Sequence, residues 1–433
     1  MKICAIILSA GKSKRFKSST PKFMHNLSGL PIVDYNINLL KKINKISKIE
    51  IISSQENLKY FQDKGYSPFK QQPVDGTGGA LRQFYKKNNK YDYYLIMLSD
   101  TPVFDQKIIG NFLNKAVKTK SDISVLSQNI SNPKGYGRLI LNNKKLIKII
   151  EENDCDNIQK KINLINTGIF MISKRAISNI NFIKKNPIKK EYYITDLIDI
   201  CNDKKLNLTT HVNTSFPIQG INDLKELNDL EILSQNYIKN KLMESGVRIY
   251  QPETVYIENG VNIGKGVIIE PNVIIRRGVL IKENTIVKSF SYLEDCRIGK
   301  NCSIGPFARI RPSSDLQDQV KIGNFVEIKK SKIRSNTKVN HLSYIGDADI
   351  GKNSNIGAGT ITCNYDGVKK NKTKISQNVF VGSNSSLVAP IKIEKNSVIG
   401  AGSVITRNVK KNTLAISRSS QKEIKNYKRK RNK

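Results

Sequence analysis

The chain has 433 residues, 38% of them hydrophobic, which is enough for two or three domains with buried cores and excludes a disordered chain. Lysine and arginine number 73 against 36 acidic residues, a formal charge of +37, but lysine is spread along the whole chain with isoleucine and asparagine. That pattern reads as compositional bias rather than a nucleic-acid surface, and only weakly favours phosphate-bearing small molecules.

No run approaches the roughly 18 apolar residues of a membrane span, and Met1-Lys2-Ile3-Cys4-Ala5-Ile6-Ile7-Leu8 meets Gly11-Lys12 too early for a signal peptide. A cytoplasmic protein is expected. Cys4, Cys155, Cys201, Cys296, Cys302 and Cys363 form no CxxC pair, so neither a zinc site nor a disulfide framework is suggested.

The first half alternates buried-strand and helix signals. Apolar residues 3–8 lead into a Gly/Ser/Lys loop, a mixed segment follows over 33–46, and Ile49-Glu50-Ile51-Ile52 and Tyr93-Tyr94-Leu95-Ile96-Met97-Leu98 read as strands. This is the rhythm of an α/β, Rossmann-like domain with a largely parallel sheet over residues 1–223. Leu224, Leu227, Glu231, Leu233, Tyr237, Ile238 and Leu242 then recur at helical spacing until Gly246, which predicts a linker helix over 224–246.

From there to residue 433 the period changes to six. Ile257, Ile263, Ile269, Ile275, Ile281, Val287 and Leu293 are in phase, and further runs fall at Ile298, Ile304 and Ile310, at Val339 and Ile345, and at Val381, Leu387, Ile393, Ile399 and Ile405. Each six-residue face supplies one inward aliphatic side chain, and only stacked coils can bury such side chains in one column. The pattern predicts a three-sided parallel β-helix over 247–433. Slips of one residue, from Leu293 to Ile298, Ile328 to Ile333 and Ile345 to Ile350, imply short faces, and residues 362–374 break the period as a projecting loop.

Leu8-Ser9-Ala10-Gly11-Lys12-Ser13-Lys14-Arg15 leaves a strand into a loop of small residues, where backbone N–H groups can approach a phosphate or a base, although an ordinary βα turn reads the same way. Pro21-Lys22, Gln71 with Gly76-Thr77-Gly78-Gly79-Ala80, and Leu98-Ser99-Asp100 at a strand end follow in order. Ligands of open α/β sheets sit at such strand ends.

The set resembles the sugar-nucleotidyltransferase family, with Gly135-Tyr136-Gly137-Arg138, Glu151, Asn166-Thr167-Gly168, Glu191-Tyr192-Tyr193-Ile194-Thr195-Asp196 and Gly220-Ile221-Asn222 continuing the match. The chain departs from the family pattern at Ser13 and Lys14, in place of glycine and threonine, and at Phe16, in place of methionine.

The resemblance implies a binding site built from Leu8, Ser9, Ala10, Gly11, Leu98 and Ser99, with Mg²⁺ held by Asp100 and Asn222. Lys22 and Arg15 would neutralise a triphosphate, Gln71, Gly76 and Thr77 would read uracil, and Gly137, Glu151 and Asn166 would hold the sugar.

Of three histidines, His341 is the one inside the repeats, two positions after Val339 and therefore at a face or corner position. An imidazole of ordinary pKa about 6.5 can take the proton an attacking amine must lose; a plain surface histidine is the alternative.

Ile304-Gly305-Pro306-Phe307-Ala308-Arg309, Gly323-Asn324-Phe325-Val326-Glu327, the run from Asn355 through Gly367, Val379-Phe380-Val381-Gly382-Ser383 and Ala415-Ile416-Ser417-Arg418 are similar to the bifunctional N-acetylglucosamine-1-phosphate uridyltransferase/glucosamine-1-phosphate acetyltransferase family. That family implies a left-handed parallel β-helix, a homotrimer with pockets between neighbouring β-helices, and His341 as base with Glu327 supporting the constellation around the sugar phosphate.

Glucosamine 1-phosphate would then be held by Arg311, Lys329, Tyr344, Asn355 and Lys370. Acetyl-CoA would use Ala358, Ser383, Ala401 and Arg418, with Asn364 and Tyr365 beside the reacting groups. Lys425, Lys428, Arg429, Lys430, Arg431 and Lys433 of the tail either approach coenzyme A phosphates or form a solvated end.

The function implied is acetyl-CoA-dependent acetylation of glucosamine 1-phosphate and then Mg²⁺-dependent uridylyl transfer from UTP. The product is UDP-N-acetylglucosamine, a cell-envelope precursor. A chain with one inactive half, or a basic binding protein built on the β-helix, are the rival readings; no nucleic-acid partner and no membrane span are expected.

Overall fold

The computed structural model describes residues 1–11, 16–143, 145–187 and 189–428. Ser13, Lys14, Arg15 and the tail residues Arg429, Lys430, Arg431 and Lys433 lie outside the described residues. The chain divides into two compact units, Met1–Ser234 and Gln235–Lys433.

Besides a small hairpin of Asn26–Leu27 and Leu30–Pro31, the first unit has the strands β1 (Ile3–Ser9), β2 (Ile46–Ser53), β3 (Phe69–Lys70), β4 (Tyr93–Leu98), β5 (Ile123–Asn129), β6 (Arg138–Asn142), β7 (Lys145–Ile150), β8 (Leu164–Ser173) and β9 (Leu208–Asn213) among the described residues. They form one sheet in the order β9-β5-β8-β4-β1-β2-β3, with β6 pairing β8 and β7. β1 runs parallel to β2 and β4, whereas β8 is antiparallel to β4 and β5, so the expected parallel sheet is mixed at this strand.

Every residue of β1 is buried, which fits a central strand covered on both faces and explains its unbroken apolar run. Helix α1 (Ile32–Lys41) and helix α3 (Gln106–Lys118) contribute to one core with Ile3, Ala5 and Ile7. Helix α2 (Thr77–Lys87) and helix α4 (Asp196–Asp203) contribute to another with Cys4, Ile6 and Leu8. Alternate side chains of the same strand thus serve opposite faces.

Helix α5 (Leu224–Glu244) opens with Asp223 accepting a hydrogen bond from Glu226 N at 2.8 Å, while Glu226 Oε2 accepts from Asn222 N at 2.7 Å. This reciprocal cap fixes the start of the helix. Gly246, at φ +94°, takes the left-handed conformation just beyond its end.

The linker helix is divided between the units. Leu230 is buried and Glu231 accepts from Ser28 N and Oγ at 2.8 and 2.9 Å in the first unit, whereas Gln235 exchanges bonds with Ile257 in the second, Nε2 to O at 2.8 Å and N to Oε1 at 3.0 Å.

The second unit is a three-sided parallel β-helix. Its faces are three parallel sheets: face I from Arg248–Ile249 to Leu414–Ala415, face II from Tyr256–Ile257 to Val404–Ile405 and face III from Asn262–Ile263 to Ile391–Ile393. The six-residue anchors fill the axis: Ile257, Ile269, Ile275, Val287, Leu293, Ile304, Ile310, Val339 and Ile345 are all fully buried.

A second inward column escaped the sequence reading. Thr285 and Thr337, each two residues before an anchor, donate to the carbonyls of Gly299 and Gly351 at 2.8 Å, so the buried hydroxyls satisfy turns that would otherwise lack partners.

Corners are made by left-handed residues. Between faces III and I, Asn353, Asn378, Asn396 and Asn412 have φ from 56° to 58°, a region asparagine tolerates better than other non-glycine residues. Their amides form a ladder: Asn353 Nδ2 donates to Asn378 Oδ1 at 3.3 Å, Asn378 to Asn396 at 3.2 Å and Asn396 to Asn412 at 3.1 Å. The period break is an insertion between the face II strand Ile361–Cys363 and the face III strand Thr373–Ile375.

Candidate active sites

In the first unit two depressions open where β1 and β4 end. One, of about 680 Å³, is lined by Ala10, Gly11, Pro21 and Gln71; the other, of about 270 Å³, by Thr77, Leu98, Asp100, Gly137, Glu151, Asn166 and Asn222. Ser99 N donates to Leu8 O at 3.0 Å, which ties together the two strand ends, and Ser9 and Ser99 are buried beneath them.

Lys22, in the short helical turn Lys22–Met24 after Pro21, forms an ion pair with Asp100 and donates to Ile221 O at 3.1 Å. Ile221 N donates to Asp100 O at 3.2 Å, which brings Asn222 to the same cavity. Phe16, where the family has methionine, is buried with its ring 4.7 Å from that of His25, so this departure is a matter of core packing.

Gln71 donates to Asp75 Oδ1 at 3.1 Å and to Gly76 O at 3.0 Å. Gly76 precedes α2 at φ +97°, and a Cβ there would lie 2.5 Å from Tyr192 O, so this close backbone approach requires glycine. Thr77 Oγ1 accepts from Ile194 N at 3.1 Å. Asn166 N donates to Gly137 O at 2.8 Å, and Asn166 Oδ1 accepts from Gly168 N at 2.8 Å. Tyr136, Tyr193 and Thr195 also line the smaller cavity. They stand inside the quoted motifs but were given no role.

Thr195 Oγ1 donates to Glu151 Oε1 at 3.1 Å, yet burial still pushes the Glu151 carboxyl above the usual range. Burial, and then the charges of Asp199 and Glu151, push Asp196 up to about 6. A carboxyl whose folded pKa exceeds its unfolded value of about 3.9 contributes fully below that pH and loses the contribution as the pH rises through the folded value.

The stability gap between Asp196→Asn and the parent should therefore shift in favour of the variant from pH 4 to pH 7, by about 1 kcal/mol once solvent screening of this half-buried group is allowed for. Thermal melts across that interval check it, and a constant gap would rule the effect out.

In the second unit, register builds one column along the corner between faces I and II. Ile322 pairs with Val339, Val339 with Ile356, Ile356 with Val381 and Val381 with Ile399. Two residues after each anchor stand Asn324, His341, Ala358, Ser383 and Ala401 in succession. Arg418 Nη1 donates to Ala401 O at 2.5 Å. His341 is exposed, and its Nδ1 lies 2.8 Å from Asn324 Oδ1. An amide oxygen can only accept, so in this contact Nδ1 is the donor, and the tautomer it selects for the neutral ring has its lone pair on Nε2.

Glu327 is held by Arg311, whose Nη1 donates to Oε1 at 2.7 Å. Asn324 is the side chain the sequence reading missed, and the signal was its position one coil, 17 residues, before His341. On face II, Glu327 pairs with Tyr344 in register, and Lys329 lies beside Lys370, each ammonium in the other's field, which pushes Lys370 down.

Gly346 lets this cluster close up, since a Cβ there would lie 2.5 Å from Tyr344 Oη and 2.8 Å from Asn364 Nδ2. Asn364 Nδ2 also donates to Asp347 Oδ2 at 2.6 Å, and Tyr365 bridges to Lys370. Asn364 and Tyr365 therefore sit with the sugar-phosphate candidates rather than in the Ala358–Ser383–Ala401 column. Asn355 is apart from them, on face I between Lys338 and Phe380.

A nucleotide-binding α/β unit followed by a hexapeptide β-helix defines a transferase with two separate activities. Residues 5–162 match the MobA-like NTP transferase domain and residues 372–407 the bacterial transferase hexapeptide, six repeats. The Bifunctional protein GlmU of Thermosipho melanesiensis is 38% identical over 439 residues, covering 98% of this chain and 96% of that protein. Its namesake from Bartonella bacilliformis is 40% identical over 423 residues, covering 96% and 94%.

The chain belongs to the GlmU family of bifunctional enzymes. Its activities are acetylation of glucosamine 1-phosphate and uridylyl transfer to N-acetylglucosamine 1-phosphate. Among the described residues no helix is long and apolar enough to cross a membrane.

Proposed function

We propose that the β-helix acts first, with His341 as general base, and that the first unit then converts the acetylated sugar phosphate to UDP-N-acetylglucosamine in the cytoplasm for cell-envelope polymers. The observation that carries this is the column placing His341 directly beneath Ala358, Ser383 and Ala401. His341 Nε2 takes a proton from the substrate amine as the amine nitrogen bonds to the thioester carbonyl carbon; the carbon–sulfur bond breaks, and the departing thiolate takes that proton from the imidazolium and leaves as coenzyme A thiol. Asn324 holds the ring in the basic tautomer.

Gly359 and Gly402 follow the column at left-handed corners, φ +71° and +69°; Asn384 Oδ1 occupies the space beside Gly359, whereas nothing lies within 4 Å of where a Cβ of Gly402 would stand, which leaves room there for a ligand lying along the column. Arg311, Lys329 and Lys370 supply positive charge for the sugar phosphate.

In the first unit a phosphate oxygen of the sugar attacks the α-phosphorus of UTP and pyrophosphate leaves, so catalysis rests on placement and charge. Asp100 and Asn222, with substrate phosphates, fit Mg²⁺, which is usually held by one or two carboxylates plus phosphate oxygens. When bound, Mg²⁺ neutralises charge on the transferring group and the leaving pyrophosphate. Lys22, paired with Asp100, is placed to pass to the phosphates, joined by Arg15. Gln71, Gly76 and Thr77 hold the base, and Gly137, Glu151 and Asn166 the sugar.

A homotrimer completes the acetylation site, because Asn355 stands on face I while Glu327, Lys329 and Tyr344 stand on face II. Face I of one copy against face II of the next is a head-to-tail contact that closes into a ring. Exposed Phe380, Val398 and Leu414 on face I and Ile361, Val388 and Val404 on face II support it. So does the corner rib of Phe290, Phe307 and Phe325, exposed and stacked with centroids 4.9 and 5.1 Å apart.

Incubating the full chain with glucosamine 1-phosphate, acetyl-CoA, UTP and Mg²⁺ should release free thiol and pyrophosphate together. Thiol without pyrophosphate would remove the first unit's part, and release of neither would overturn the proposal.

A further inference from the structure

The outer side of face III carries a groove of about 740 Å³, larger than either depression of the first unit, and no residue of the two active sites lines it. Six cationic side chains border it: Arg334, Lys352, Lys374, Lys392, Lys395 and Lys411. Its two carboxylates are already engaged. Arg334 donates to both oxygens of Asp349 at 3.0 Å, and Glu394 accepts from Lys392 Nζ at 3.1 Å and from Lys411 N at 3.2 Å. Four positive charges remain unbalanced.

The cations are stacked rather than dispersed. Lys374 stands in register between Asp349 and Lys392, and the unbalanced Lys395 and Lys411 precede consecutive asparagines of the corner ladder on neighbouring coils. Like charges directly opposite each other on neighbouring strands are destabilising. A bound anion removes that cost, and coils about 4.8 Å apart offer cations to different phosphates of one molecule. Among the described residues no aromatic side chain borders the groove, so bases would find nothing there to stack on, unlike the platforms of single-stranded nucleic-acid sites.

We propose that the face III groove binds a compact oligophosphate, two or more condensed phosphates in one small molecule. The test is residue-resolved lysine acylation of the full chain, read by mass spectrometry with and without tripolyphosphate. At several times its Kd, tripolyphosphate should slow modification of Lys352, Lys374, Lys395 and Lys411 about fivefold, in proportion to occupancy. Lys282, on the same face but outside the groove, should be unaffected.

Lys374→Gln combined with Lys395→Gln should abolish protection of Lys352 and Lys411 while both transfer activities stay at the parental level. Equal rates with and without the anion, or the same protection at Lys282, would overturn the proposal. Stronger protection by a single-stranded oligonucleotide at equal phosphate concentration would overturn it in favour of nucleic acid.

Discussion

Replacing His341 with alanine should lower acetyl transfer by about 10²-fold or more, the usual worth of a positioned general base, and leave uridylyl transfer unchanged. The ring is exposed, so its removal leaves no cavity, and the neighbouring anchors Val339 and Ile345 keep the coil in place. Asn324 makes the expectation sharper. Because its Oδ1 meets Nδ1 at 2.8 Å, Asn324→Asp should stabilise the protonated imidazole and move the acidic limb of the acetylation pH profile upward, a change that loss of packing alone would not produce. Acetylation near the parental rate in His341→Ala would remove His341 as the base.

Asp100→Ala should abolish Mg²⁺-dependent uridylyl transfer, a loss of at least about 10³-fold given what single electrostatic groups contribute to such transition states, while acetylation continues. The substitution removes the proposed carboxylate ligand and the partner of Lys22 together. Asp100→Asn keeps the shape and removes only the charge: it should fail equally if the carboxylate charge is what matters. Loss of both activities would point to a folding defect, and retained uridylyl transfer would dismiss Asp100 from the site.

The β-helix was legible in the sequence because one inward side chain per face is a constraint repeated on every coil, so Ile257 through Leu293 announce it in phase. Slips of one residue marked the tight corners, as at Asp295, whose φ is +38° between the strands ending at Leu293 and Ile298. What stayed hidden depends on contacts between coils. Asn324 looks like any turn residue until register sets it 17 residues before His341, and the bond from Arg311 to Glu327 likewise joins residues of successive coils.

In the first unit, the apolar runs of β1 and β4 gave the strands but not their direction, since a buried strand reads alike in parallel and antiparallel pairs. The antiparallel placement of β8 follows from long connections that carry no local signal. The helix over Leu224–Glu244 was legible from its spacing, but its division between the units turns on Glu231 and Gln235, whose hydrogen-bond partners lie far away in sequence.

The asparagine ladder has a polarity: each amide nitrogen points to the following coil and each amide oxygen receives from the preceding one. Chemical ageing would strike it unevenly. Hydrolysis of the Asn378 amide to a carboxylate would leave the bond from Asn353 intact, because the new group still accepts, but would sever the one to Asn396, because it can no longer donate. Damage at one rung would thus loosen the corner in a single direction, toward the C-terminal coils.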